Sequence, residues 1–302
     1  MFDAVAFAGG GNRCYWQGGF WVAAAERLDL APALVVGVSG GAFAACYSLL
    51  GQGRAVMERV AQGCAEGRRN IDWVAACRGC RPFPVSGMYR DLIDAVLGPA
   101  GFAALRGGRT EAVIALSRPP RRLPLALAVP LGILTYQAEK KWRAPVHPRG
   151  GRALGFREDF VAVRDLAAPE ELTSALLASA SVPPFLPVGR VRGEPALDGG
   201  LVDNVPVTPL VPVEAAGGRT LVLLTRRYRA LPQHPGRTYL QPSAPVAIGQ
   251  FDITNPEGIR RAFAQGLEDG AAFAAEQRAR RAASRAAEPV VRPQPAPSPP
   301  PG

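Results

Sequence analysis

Histidine is almost missing: His147 and His234 are the only two in a chain of 302 residues. That scarcity removes histidine-rich metal sites and leaves few candidates for an imidazole base. Cysteine occurs five times, at 14, 46, 64, 77 and 80, an odd number at irregular spacings. Such a set makes no disulfide framework and favours a reducing compartment. Cys77 and Cys80 form one Cys-x-x-Cys pair without two further ligands at suitable spacing, so they read as ordinary thiols and no metal is expected. The N-terminal MFDAVAFAGGGNRC lacks a basic leader and a long apolar stretch, so no secretory signal is read and a cytoplasmic protein is expected. Zinc-finger spacing and an aromatic–basic RNA-binding signature are also missing. Nucleic acid is therefore not expected as a partner, although the net charge is +10.

No apolar run is long enough to span a bilayer. The longest, residues 123–136 (LPLALAVPLGILTY), holds two prolines. Arg121 and Arg122 precede it; Lys140, Lys141 and Arg143 follow. It reads either as a buried strand or helix with polar ends, or as an interfacial loop that dips into a membrane while the cations meet anionic head groups.

What the chain does have is glycine, 34 residues of it, placed at turns between apolar segments. Residues 3–8 (DAVAFA) read as a buried strand, followed by Gly9, Gly10 and Gly11 and then by a helix over 14–29. Residues 34–38 (LVVGV) read as a second strand, turned by Ser39, Gly40 and Gly41 into a helix over 42–50. Further strands are expected at 111–116, at 160–163 and at 220–225, and helices at 170–179 and 259–285. Apolar strands alternating with helices predict an α/β domain with a mostly parallel sheet covered on both faces. Residues 1–287 are expected to form this one domain. From 288 to 302 the chain is proline-rich and is expected to be extended or disordered.

Gly37-Val38-Ser39-Gly40-Gly41 fits Gly-x-Ser-x-Gly between a strand and a helix. A serine on that sharp turn projects its hydroxyl from the sheet, and small neighbours leave the turn room. The helix N-terminus behind it favours developing negative charge. The Gly9–Gly11 loop can offer backbone N–H groups to an oxyanion. Nucleotide binding fits poorly: Cys14 stands where a dinucleotide fingerprint needs its third glycine, and no Gly-Lys-Ser/Thr occurs. A serine hydroxyl needs a base. Both histidines precede proline in turn-like settings, whereas Asp198, ahead of Gly199 and Gly200, sits on a tight turn from which a carboxylate can take the proton directly.

Together these residues resemble the patatin-like phospholipase family, as a bacterial member. Four segments match in order: GGGNR (9–13), GVSGG (37–41), ASASVPPFLPV (178–188) and DGGLVDNVPV (198–207). The late FDITNPEGIRRAF is also similar to the closing segment of some bacterial members, and the resemblance spans residues 4–270. It implies a three-layer α/β/α fold with a Ser–Asp dyad and no histidine. By position Ser39 would be the nucleophile and Asp198 the base. Gly10 and Gly11 would hold the oxyanion with Arg13 beside them, and Asn204 and Pro206 would shape the loop after the aspartate. The implied activity is release of fatty acid from phospholipids or other acyl-ester lipids through an acyl-enzyme, without metal or cofactor. Cys14 stands where many members have glycine, and residues 72–157 match no motif. A Ser–His–Asp esterase using His147 or His234 and a non-catalytic lipid-binding protein remain alternatives, as does peripheral contact with an anionic membrane.

Overall fold

A computed structural model describes residues 2–66, 69–73, 77, 78, 80, 82–142 and 145–287. The proline-rich stretch expected at 288–302 lies outside the described residues, as does Arg143. Strands β1 (Ala4–Phe7), β2 (Leu34–Val38), β3 (Glu111–Arg118), β4 (Arg157–Ala162), β5 (Gly189–Val191), β6 (Glu194–Asp198), β7 (Thr220–Leu223) and β8 (Arg237–Leu240) form one sheet. Its order is β5-β6-β3-β2-β1-β7-β8, with β4 also paired to β3. The centre, from β3 through β2, β1 and β7 to β8, is parallel; β4, β6 and β5 add antiparallel pairs at one side.

The helices are α1 (Tyr15–Leu28), α2 (Gly40–Leu49), α3 (Gly53–Ala65), α4 (Val85–Val96), α5 (Gly98–Gly107), α6 (Leu125–Trp142), α7 (Gly150–Ala153), α8 (Pro169–Ser179), α9 (Val211–Ala215) and α10 (Pro256–Ala287). Successive strand residues face opposite ways, so each central strand feeds two cores. Val5, Phe7, Val35, Leu221 and Leu223 pack with Trp16, Phe20, Phe43 and Phe263 of α1, α2 and α10. Ala4, Ala6, Val36, Val38 and Val222 pack on the other face with Val205 and Leu210. The result is a three-layer α/β/α architecture with a mostly parallel sheet.

Helix α10 lies against α1 because glycine lets the backbones meet. A Cβ on Gly266 would stand 2.1 Å from the Trp16 carbonyl oxygen, and one on Gly19 would stand 2.0 Å from that of Phe263. Gly266→Ala is expected to cost about 3 kcal/mol, since that contact is backbone and cannot yield cheaply. Urea unfolding midpoints of the two proteins check this.

The apolar run at 123–136 is neither a strand nor a loop. It forms most of α6, which carries Pro130 inside it. Ala128, Val129 and Gly132 are buried, the first two in a cluster with Phe156, Leu197 and Leu201, and Gly132 against the Phe156 ring. Leu127, Leu131 and Leu134 face solvent, at 61%, 42% and 66% exposure. Small residues pack one face and leucines fill the other, so this helix is apolar on its free side as well. No helix among the described residues is long and apolar enough to cross a membrane.

Candidate active site

Ser39 ends the turn from β2 into α2 with φ 55° and ψ −134°, a conformation that side chains ordinarily avoid. The glycines make room for it. A Cβ on Gly41 would meet the Ala8 carbonyl oxygen at 2.4 Å, and one on Gly40 would meet that of Gly11 at 2.8 Å. The serine turn and the glycine loop are thus in backbone contact. The Ser39 N–H donates to Ser179 Oγ at 2.8 Å, and the Ser179 hydroxyl donates to the Ala115 carbonyl at 2.6 Å. Ser179, at the C-terminal end of α8, was not singled out from sequence. Its partner is 140 residues away and its only signal was its place in the segment 178–188.

Asp198 ends β6 and is fixed on both sides of its peptide. Its N–H donates to the Ser181 carbonyl at 3.0 Å, and its carbonyl accepts from the Ser117 hydroxyl at 2.9 Å. The Gly200 N–H donates to Asp198 Oδ1 at 2.7 Å, and the Ser39 side chain lies close enough to the same carboxyl group to lower its pKa. Burial pushes this carboxyl up to about 6; Ser39 and the Gly200 N–H pull it partly back. It is therefore ionised at neutral pH yet remains a usable proton acceptor.

Gly10 and Gly11 line the same cavity as Ser39 and Asp198. Within the loop, the N–H of Gly9 donates to the Asn204 carbonyl, that of Asn12 to the Gln250 carbonyl and that of Arg13 to the Gly10 carbonyl. Among the described residues the N–H groups of Gly10 and Gly11 have no such acceptor. Asn204 clasps the loop by donating from Nδ2 to the Gly9 carbonyl at 2.8 Å, and the Thr225 hydroxyl donates to the same oxygen at 2.6 Å. Pro206 is buried just after it. The guanidinium of Arg13 lies outside the cavity lining, near Arg226, Tyr136 and Tyr228.

The cavity holds about 60 Å³ and is roofed by Ile133, Tyr136 and Gln137 of α6, with Gln250 and Phe251 at one wall. A larger cavity of about 390 Å³, lined by Tyr15, Val60, Met88, Tyr89, Leu92 and Ile253 among others, lies beyond it. The two share no residue, but their walls run on from Gly11 to Asn12 and from Phe251 to Asp252. The smaller one brings together a serine hydroxyl, a buried carboxylate and two N–H groups without an acceptor among the described residues.

Neither histidine reaches Ser39. His147 places Nδ1 2.7 Å from Asp203 Oδ2 and Nε2 2.9 Å from the Tyr239 hydroxyl. Neither partner lines the Ser39 cavity. Burial raises the pKa of Asp203, and its other oxygen accepts the Val205 N–H at 2.9 Å. His234 is surface-exposed, beside the Pro235 carbonyl and Glu214. His147→Ala leaves Asp203 buried without its partner. It should lower stability by about 2–3 kcal/mol while kcat stays within about tenfold, against the loss of ~10⁴ expected for a triad histidine. Chemical denaturation and initial rates on one preparation separate the two.

Comparison with protein families finds a match to the patatin-like phospholipase domain over residues 5–211. Among curated proteins nothing matches significantly.

Proposed function

The chain belongs to the patatin-like phospholipase family of lipid acyl hydrolases, and from that premise we propose that it cleaves acyl esters with a Ser39–Asp198 dyad and no histidine. Ser39 Oγ attacks the ester carbonyl carbon as Asp198 takes the hydroxyl proton. The carbonyl oxygen becomes an oxyanion held by the N–H groups of Gly10 and Gly11, with the N-terminus of α2 and the charge of Arg13 adding positive potential. The intermediate collapses to an acyl-enzyme, and the proton on Asp198 passes to the departing alkoxide. Water then attacks the acyl carbon while Asp198 accepts its proton. Collapse of that second intermediate returns the proton to Ser39 and releases the fatty acid.

The observation that carries this reading is the shared cavity. A buried carboxylate and a strained serine line one cavity with two N–H groups free to receive an oxyanion. The 390 Å³ cavity, within the usual range for a ligand pocket, would take the acyl chain once Phe251 yields. Phe251 stacks on Phe185 at 4.7 Å, and Phe185 meets Phe83 at 4.9 Å. The exposed leucines of α6, with Arg121, Arg122 and Lys141 near its ends, would rest on an anionic bilayer.

Fatty-acid release from phospholipid and acylglycerol vesicles without added metal tests the proposal. Wild type is expected to turn over, and folded Ser39→Ala to lose at least about 10⁴ in rate. Equal rates for the two would place the nucleophile elsewhere. Vesicle binding without turnover would favour the non-catalytic lipid-binding alternative.

A further inference from the structure

A third cavity, of about 350 Å³, lies between α4, α8 and the approach to β5, and it shares no lining residue with the two already described. Ser86 and Arg90 stand one helical turn apart on α4, and both line it. Ser174 and Leu177 face it from α8, Leu186 and Val188 from the segment ahead of β5, and Arg190 from β5 itself. The volume is within the usual range for a ligand pocket. Its lining is of two kinds: apolar side chains, and two guanidinium groups with two hydroxyls.

The polar groups have almost nothing to bond to. Among the described residues no ion pair includes Arg90 or Arg190. Arg190 has the Gly193 carbonyl, which accepts from Nη1 at 2.9 Å, whereas the Arg90 side chain and the hydroxyls of Ser86 and Ser174 have no hydrogen-bond partner among those residues. Asp94, one turn beyond Arg90 on α4, is occupied by the Thr173 hydroxyl at 2.6 Å. Elsewhere in the fold arginines find acids: Arg118 meets Asp159 at 2.7 Å and Arg237 meets Glu214 at 2.6 Å. A guanidinium fork matches a carboxylate, and a hydroxyl can donate to the same oxygens. Leucine and valine beside them offer apolar surface to an alkyl chain.

The walls of this cavity also hold the two dyad residues. Leu177 lies two residues before Ser179, whose Oγ receives the Ser39 N–H. Pro187, also in the lining, accepts the Ser181 hydroxyl at 2.6 Å, and the Ser181 carbonyl accepts the Asp198 N–H at 3.0 Å. Between these braces the packing is tight: a Cβ on Gly189 would stand 2.5 Å from that of Ala178. We propose that the cavity is a second binding site, for an alkyl carboxylate such as a free fatty acid, with the carboxylate at Arg90 and Arg190 and the chain on Leu177, Leu186 and Val188. An occupant presses α8 and the approach to β5 apart, shifts Ser179 and Ser181, and lowers turnover at Ser39. Binding needs nothing from the hydrolase reading; the effect on turnover rests on it.

Calorimetric titration of sodium octanoate into Ser39→Ala reads the site without turnover. Saturable binding is expected, weakened about tenfold by adding Arg90→Met or Arg190→Met, while Arg90→Lys keeps most of it. Octanol, which lacks the charge, and acetate, which lacks the chain, should each bind at least about tenfold more weakly than octanoate. Absent binding, octanol binding as tight as that of octanoate, or affinity unchanged in both methionine variants overturns the site; in the last case octanoate sits elsewhere. Both arginines are exposed, so their substitution spares the fold, and matched melting temperatures check this. Kinetics on a soluble acyl ester read the link to the dyad. Saturating octanoate should lower wild-type kcat about fivefold, and the same concentration should leave kcat of Arg90→Met near its octanoate-free value. Octanoate that raises KM alone, equally in both proteins, overturns the link, because a product competing at Ser39 does only that. A chain that hydrolyses no ester fails the hydrolase reading, and the calorimetric result still decides the site.

Discussion

Asp198→Asn is expected to lower kcat on acyl esters by about 10³–10⁴ and to stabilise the protein at the same time. The amide is nearly the same shape, and its oxygen still accepts the Gly200 N–H, which now reaches Oδ1 at 2.7 Å. What it cannot do is take the Ser39 proton. The stability gain follows from burial, which raises the folded-state pKa to about 6 from an ordinary value of 3.8. The fold therefore prefers the neutral acid. Its stability from this group is complete below about pH 4, declines as pH rises to 6, and stays at the lower level above. A shift of about two units corresponds to roughly 2–3 kcal/mol. At pH 8 the variant should melt about 5 °C higher than wild type, and the two should converge near pH 4. Activity runs the other way, since the ionised carboxylate is the base. Calorimetric melting across pH, beside initial rates, reads both effects. A variant that keeps a tenth of wild-type kcat would remove Asp198 from the chemistry.

Gly11→Ala is the second large effect. Gly11 has φ +55°, and a Cβ there would stand 2.2 Å from the Gln250 carbonyl oxygen. That oxygen accepts the Asn12 N–H at 2.9 Å. Methylation must push the Gln250 segment outward or turn the Gly10 and Gly11 peptides, and either movement misaims the N–H groups at the oxyanion. A loss of about 10²–10³ in kcat is expected, with KM changed far less, because the oxyanion exists only beyond the ground state. Gly51→Ala is the control. Gly51 also has positive φ, at 69°, but no atom lies within 4 Å of its would-be Cβ. It should lose about 1 kcal/mol of stability and no activity. Equal kcat losses in the two variants would mean that backbone strain alone, and not the oxyanion donors, explains the result.

The elbow was legible because everything that makes it is local. An apolar strand, a serine among glycines and a helix follow one another within residues 34–49. The β1 strand and the glycine loop were legible for the same reason. Asp198 was readable only through its Asp-Gly-Gly and its order after Ser39. Its strand is short, and it pairs with β3 at only Leu116 with Asp198 and Ser117 with Leu197. Strand β8 reads Arg-Thr-Tyr-Leu and is half-exposed, so it carries no apolar signal. Helix α6 was obscured by Pro130, which suggests a break; Ala128, Val129 and Gly132 nevertheless fit against its buried side. Contacts across long separations left no local trace. The brace from Ser179 to Ser39 and the His147–Asp203 pair both needed the sheet to be assembled first. His147 illustrates the cost. Its proline neighbour suggested a loose surface turn, whereas its ring is hydrogen-bonded at both nitrogens.

The most direct test of a dyad without histidine is the pH dependence of kcat/KM on a soluble acyl ester, measured for wild type and His147→Ala. The account predicts one acid limb with a midpoint near 6 in both proteins, a plateau above it, and plateau values within about tenfold of each other. A loss of 10³ or more in His147→Ala, with the acid limb gone, would contradict it and make the imidazole the base.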